Sequence, residues 1–137
     1  MYVRRHARLM LDTIERDGRL PAAQPDPIQV WALGQEYGQG ITLIALGGEV
    51  VVDYAIRLKQ ELSNSQPWIA GYSNDVFGYV PSQRVLKEGG YEGGGAMIYY
   101  GRPGAFTPEV EPLIVDTVHR LVQKVMPPSR SRQRPRQ

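Results

Sequence analysis

The hydrophobic period of this chain changes at Gly47-Gly48, and that change restricts the fold more than any other feature. Residues 41–46 read Ile-Thr-Leu-Ile-Ala-Leu, an apolar and β-branched run that is typical of a strand. Beyond the two glycines, apolar residues recur at helical spacing, at Val51, Ala55, Leu58 and Leu62. Another short apolar run, residues 68–72, follows a proline. The pattern predicts a βαβ unit whose strands are parallel and whose crossover is right-handed.

The segments before this unit predict a hairpin and an amphipathic helix. Residues 28–33 form an apolar run that a seven-residue loop separates from residues 41–46, which is a hairpin pattern. Residues 2 to about 17 repeat apolar side chains at three- and four-residue spacing. Asp17-Gly18 is expected to end that helix.

The last predicted element is a second amphipathic helix. Thr107 is placed to cap it, Pro108 suits its first position, and an apolar stripe continues to Val125. The predicted fold class is therefore α/β: a small mixed sheet, with a hairpin and a βαβ unit, flanked by N- and C-terminal amphipathic helices.

Residues 73–104 form a long glycine-rich loop segment. They include eight glycines and five aromatic residues, and only residues 96–100, Ala-Met-Ile-Tyr-Tyr, are predicted to form a strand. The glycines at residues 89–95 lack the Lys-Ser/Thr and the helix that a phosphate-binding loop requires. A loop of this length in a small domain favours a functional use.

Composition limits the chemistry. A chain of 137 residues is long enough for one core, so residues 1–126 are expected to form a single α/β domain. With no cysteine, a disulfide framework, a cysteine nucleophile and a thiolate zinc site are excluded. No apolar run is long enough for a transmembrane segment, and the N-terminus carries no signal-peptide pattern.

The positive net charge belongs to the C-terminus. The formal charge is +2, but four of the 16 basic residues lie in the last eight positions: Arg130, Arg132, Arg134 and Arg136. Residues 127–137, rich in Arg, Pro and Ser, predict a disordered tail. The rest of the chain is slightly acidic, so no nucleic-acid partner is expected.

Polar residues of potential chemical use follow two of the predicted strands. Glu49 comes directly after the glycine turn, and Asn74 and Tyr79 follow the next strand, so all three are expected at one edge of the sheet. Simpler interpretations stay open: Glu49 as a first-turn carboxylate of a helix, and Tyr79 as a packing residue. The two histidines, His6 and His119, fit surface positions and no catalytic motif.

Four short motifs follow one another along the chain: Leu46-Gly-Gly-Glu49, Gly71-Tyr-Ser-Asn-Asp75, Gly78-Tyr-Val-Pro-Ser82 and Gly90-Tyr-Glu-Gly93. In this order they resemble the neutral/alkaline non-lysosomal ceramidases, and most closely the bacterial ceramidase-like proteins. The resemblance covers most of residues 28–125 and corresponds to the C-terminal part of the catalytic domain. It implies a zinc amidase that hydrolyses N-acylsphingosine to sphingosine and a fatty acid.

The resemblance also implies roles for individual residues. Glu49 and Tyr79 match the family's glutamate and tyrosine zinc ligands, and Tyr91 matches a tyrosine near the reacting amide. Asn74 matches an asparagine of the same loop, for which we expect an orienting role. The family's two histidine ligands lie upstream, and nothing in this chain matches them. One zinc ion would thus be incompletely ligated, and this chain alone is expected to be inactive.

The implied partners are the upstream part of the same catalytic domain and a lipid amide substrate, with possible contact to a membrane surface. The family is exported, so the resemblance suggests a secreted or periplasmic full-length protein. The alternative from another class is a non-catalytic α/β binding or interaction module that keeps the scaffold and presents the loops of residues 73–104 to a partner.

Overall fold

The computed structural model of the protein describes residues 1–34 and 40–126. Residues 127–137, for which a disordered tail is predicted, lie outside the described residues. Two short 3-10 helices, Ser63–Ser65 and Gly95–Ile98, accompany the main elements. In chain order these elements are α1 (Tyr2–Asp17), β1 (Gln29–Leu33), β2 (Ile41–Ala45), β3 (Glu49–Val50), α2 (Val52–Glu61), β4 (Pro67–Ala70), β5 (Tyr79–Val80), α3 (Gln83–Glu88) and α4 (Val110–Val125).

The described strands form one three-stranded and one two-stranded sheet. In the larger sheet the order is β1-β2-β4, with β1 antiparallel and β4 parallel to β2. The predicted hairpin and βαβ unit are therefore confirmed, with α2 as the crossover helix. The smaller sheet is the parallel pair β3-β5. This pair lies directly beyond the carboxyl ends of β2 and β4, and it fixes the candidate site.

The core lies on the face of the larger sheet that α2 and α4 cover. Ile44 of β2 is fully buried against Leu58 of α2 and Val118 of α4, and the alternation along the strands turns Val30 and Ile69 to the same side. Tyr54 is also buried, and its hydroxyl donates to the carbonyl of Pro81 at 3.1 Å. Because that carbonyl follows β5, the core anchors the strand that carries Tyr79.

Helix α1 has the predicted bounds and ends at Gly18, whose φ of 74° is the left-handed cap that glycine favours. Its apolar stripe does not join the core. Only Thr13 of this helix is buried, while Val3 and Leu11 remain 70% and 62% exposed. None of the helices in the described ranges is long and apolar enough to cross a bilayer.

Two predictions are wrong: the strand over residues 96–100 and the start of the last helix at Pro108. Residues 96–100 do not form a strand: a 3-10 helix, Gly95–Ile98, continues into a turn because the preceding glycines allow the chain to coil on itself. Helix α4 begins at Val110, capped by Glu109, rather than at Pro108. Thr107 instead starts a turn, since its carbonyl accepts from the Val110 amide at 3.1 Å.

Candidate functional site

The glycine turn delivers Glu49 to a short strand. Gly48 has a φ of 65°, and its amide donates to the Asp75 carbonyl at 2.8 Å. The next amide, that of Glu49, donates to the Gly78 carbonyl at 2.8 Å. Glu49 therefore lies in β3, and α2 begins three residues later, at Val52. The interpretation of Glu49 as a first-turn helix carboxylate is wrong, because pairing with β5 keeps this segment extended.

Glu49 and Tyr79 are direct partners in the β3-β5 register. Both side chains are half-buried. Hydrogen bonding between the Tyr79 hydroxyl and the Glu49 carboxylate, with desolvation as the second cause, raises the pKa of Tyr79 well above its usual value of 10. The phenol is therefore neutral at any ordinary pH. The expectation that Glu49 and Tyr79 meet at one edge of the sheet is confirmed.

Tyr72 is a third member of this arrangement, and sequence reasoning missed it. Hydrogen bonding to Glu49 raises the pKa of Tyr72 to about 12. Its φ of 55° is left-handed, a conformation that costs an ordinary residue about 1–2 kcal/mol. The Tyr72 amide donates to the Gly48 carbonyl at 2.8 Å, which holds it there. Strained residues concentrate at functional sites, so the strain itself marks this position.

Tyr91 stands beside Tyr79, as the resemblance requires. Their ring centroids are 5.5 Å apart in an edge-to-face contact, and Tyr91 is 49% exposed. The contacts continue from Tyr91 to Tyr99 at 6.0 Å and from Tyr99 to Tyr2 at 5.0 Å. We call Tyr79, Tyr91, Tyr99 and Tyr2 the tyrosine row. It links the Glu49 carboxylate to helix α1 along a partly exposed surface.

Asn74 is close in sequence but serves another contact. It is exposed, with a left-handed φ of 67° that asparagine tolerates. Its side-chain amide donates to the Pro27 carbonyl at 3.1 Å. This hydrogen bond ties the loop after β4 to the segment that precedes β1, and the orienting role expected of Asn74 stays a prediction.

The histidines lie on separate elements, each with its own partner. His6 Nε2 is 2.7 Å from the Arg102 carbonyl, and His119 Nε2 is 2.6 Å from Glu61 Oε2. Within residues 1–34 and 40–126, no three His, Asp or Glu side chains are grouped so that they could hold a metal ion. In the same ranges Glu49 forms no ion pair with a basic side chain.

The chemistry of the site follows from these contacts. A half-buried carboxylate that lies beside two phenols and has no basic partner among the described residues is an oxygen ligand for a cation. Glu49 and Tyr79 together supply two oxygen donors, fewer than the three protein ligands of a catalytic zinc site. In comparisons with known proteins, no family model, no curated protein and no solved structure matches this chain.

Proposed function

We propose that this chain is the C-terminal portion of the catalytic domain of a zinc-dependent, ceramidase-like amidohydrolase. Glu49 and Tyr79 provide two of the metal ligands, and the upstream part of the same domain provides the rest. The observation that carries the proposal is the register pairing of Glu49 with Tyr79, which puts the two residues side by side on adjacent strands. The motifs assign Glu49 and Tyr79 to one metal ion. These residues are 30 positions apart in sequence and are register partners in the fold.

The donor set fits part of a zinc site. Zinc accepts carboxylate and phenol oxygens, and when bound it polarises a carbonyl group and acidifies a water molecule. The pKa of Tyr79 is raised well above 10 beside Glu49, so the phenol binds a cation either weakly as a neutral oxygen or after it loses its proton. In the proposal, Tyr91, which contacts Tyr79, donates a hydrogen bond to the amide oxygen of the substrate.

Uncovered apolar surface supports the incompleteness of the chain. Trp31, Leu43 and Trp68 are register neighbours across β1, β2 and β4, on the face opposite the core. The two tryptophans are 53% and 61% exposed. Soluble monomers rarely expose large contiguous apolar patches, and helix α1 adds a second apolar stripe. In the proposal, the upstream part of the domain covers these surfaces.

The proposal is tested by zinc affinity in a polypeptide extended upstream of residue 1. Glu49→Gln and Tyr79→Phe are each expected to weaken zinc binding at least about tenfold, because a direct ligand matters no less than an outer-shell partner. Glu92→Gln, which removes an exposed carboxylate beside Tyr91, is the matched control. Unchanged zinc affinity in both ligand variants would contradict the proposal.

Activity tests the incompleteness separately. The extended polypeptide is expected to hydrolyse N-acylsphingosine, and the purified 137-residue chain is expected not to do so. Hydrolysis by the shorter chain, at a rate that Glu49→Gln abolishes, would show that the site is complete without upstream ligands.

A second candidate function is a non-catalytic binding module. The exposure of Tyr72 (59%), Tyr91 (49%) and Tyr99 (52%) favours it, because exposed tyrosines on irregular loops are typical of recognition surfaces. The zinc experiment separates the two functions. A binding module requires the tyrosine rings and no zinc, whereas the hydrolase requires the Glu49 carboxylate and the Tyr79 hydroxyl.

A further inference from the structure

A pocket lies between helix α1 and the turn at residues 98–101, at the far end of the tyrosine row from Glu49. Its volume is about 270 Å³, just below the roughly 300–1,000 Å³ of typical ligand pockets. A ligand that fits is therefore small. The lining residues are Tyr2, Arg5, His6 and Leu9 of α1 with Ile98, Tyr99, Tyr100 and Gly101 of the turn.

The charge of this pocket has one sign. None of its lining residues is acidic, and Arg5 forms no ion pair within the described ranges. His6 directs Nε2 at the Arg102 carbonyl, which can only accept, so that nitrogen carries a proton. Arg5 is thus the cation of a pocket without acidic side chains, and an anion is the complementary ligand.

The remaining walls are flat and apolar. Tyr2 and Tyr99 meet edge to face at 5.0 Å, and Leu9 and Ile98 complete the lining. Helix α1 approaches the turn so closely that a Cβ at Gly101 would lie 2.9 Å from Leu9 Cδ2. The helix and the turn therefore touch along one side of the pocket, and the two rings in contact form one aromatic wall. Such a wall favours a planar ligand body through stacking or edge-to-face contact.

We propose that the pocket binds a small organic anion with a planar apolar body, of the aryl carboxylate class. Arg5 holds the carboxylate through a charge-assisted hydrogen bond, and the rings of Tyr2 and Tyr99 pack against the body. This site does not rest on the proposed zinc chemistry, because it uses none of the groups at Glu49.

The test uses the 137-residue chain and benzoate, with binding followed by calorimetry or by NMR shifts of the Tyr2 and Tyr99 rings. Arg5→Gln is expected to weaken benzoate binding about tenfold or more, as loss of a hydrogen bond to a charged group requires. Arg4→Gln removes the same charge from the neighbouring position, which does not line the pocket, and is expected to change affinity less than about twofold.

Two ligand comparisons complete the design. Benzamide, the neutral analogue, and inorganic phosphate, an anion without an apolar body, are each expected to bind at least about tenfold more weakly than benzoate. Tyr99→Leu is expected to weaken benzoate and leave phosphate unchanged. Equal losses in Arg4→Gln and Arg5→Gln, equal affinity for benzoate and benzamide, or no benzoate binding would each overturn the proposal.

Discussion

Tyr79 lies directly opposite Glu49 across a parallel pair of strands only two residues long. A ladder of two residues cannot fix its own register, so the turns that lead into the two strands fix it. The Gly48 turn leads into one strand, and the Gly78 carbonyl accepts the Glu49 amide at the start of the other. The pairing of the two side chains is therefore a consequence of the turns that follow β2 and β4.

We expect Glu49→Gln to lower the pKa of both Tyr72 and Tyr79. Hydrogen bonding to the carboxylate is the largest cause of each raised value, and its negative charge also opposes formation of a phenolate. Both tyrosines have a higher pKa in the folded state than in the unfolded state. The stability that their protons contribute to the fold is therefore fully present below about pH 10, the ordinary tyrosine pKa, and is lost as the pH rises through the folded-state pKa values. Ultraviolet absorbance of the phenolates, measured against pH, gives the shift directly.

The control for this titration is Glu92→Gln, which removes a solvent-exposed carboxylate from the same surface. It is expected to leave the late phenolate transitions of Tyr72 and Tyr79 in place, and the late transition of Tyr54, whose pKa burial raises, is expected to persist in every variant. If the transitions are the same in the wild type, Glu49→Gln and Glu92→Gln, the tyrosines are not held by Glu49.

Gly48→Ala is expected to destabilise the fold by about 2–5 kcal/mol. The left-handed φ of Gly48 costs an alanine about 1–2 kcal/mol. The added Cβ would also lie 2.6 Å from Val80 Cγ2 and 2.9 Å from the Gly78 carbonyl oxygen, and such overpacking typically costs about 1–3 kcal/mol. Urea denaturation measures the loss. Gly104→Ala, where a Cβ would meet nothing within 4 Å, is expected to change stability by less than about 0.5 kcal/mol.

Periodicity was sufficient to predict the larger sheet and its helices. The alternation in residues 41–46 and the helical spacing after Val51 each depend on neighbours close in sequence, so the hairpin, the βαβ unit and the bounds of α1 could be predicted. The meeting of Glu49 with Tyr79 followed from the same topology, because the carboxyl ends of parallel strands share one edge of a sheet.

The errors lie where glycine conformation or a contact distant in sequence, and not the side-chain pattern, decides the backbone. Residues 96–100 have strand-like side chains, but the Gly94 φ of 154° and the hydrogen bond from the Ala96 amide to the Tyr91 carbonyl turn them into a 3-10 helix. The apolar residues before Tyr72 predict that it ends a strand. Its left-handed conformation depends on the Gly48 carbonyl, 24 positions away, and no local pattern encodes that contact.

Asp26 is expected to make the fold less stable as the pH rises. Its Oδ1 accepts from the Gly47 amide at 3.0 Å, while Oδ2 is buried with no hydrogen-bond partner among the described residues. Burial raises the pKa of Asp26. The stabilisation linked to its protonation is fully present below about pH 3.9, the unfolded value, and is lost as the pH passes the folded one.

The variant that tests this linkage is Asp26→Asn, which keeps an acceptor for the Gly47 amide and cannot ionise. The free energy of unfolding of Asp26→Asn, minus that of the wild type, is expected to increase from about pH 3 to pH 7, because only the wild type loses stability as Asp26 ionises. Asp116→Asn, at an exposed position of α4, controls for the change in net charge. Parallel stability curves for the wild type and Asp26→Asn would contradict the assignment.

Ser82→Ala is expected to cost about 1–3 kcal/mol of stability, because this buried hydroxyl makes two hydrogen bonds. It caps α3 by accepting from the Val85 amide at 3.2 Å, and it donates to Asp53 Oδ2 at 2.5 Å.

The same substitution also changes the pH dependence of stability. Hydrogen bonds from Arg84, and then from Ser82, lower the pKa of Asp53, so the stability that this carboxylate contributes to the fold is present above its unfolded pKa and is lost as the pH falls. Ser82→Ala should therefore reduce the loss of stability at acidic pH. The pH dependence linked to Asp53 has the opposite sign to that linked to Asp26. Chemical denaturation at two pH values measures both effects, and equal losses in Ser82→Ala and the exposed control Ser63→Ala would refute the role of this cap.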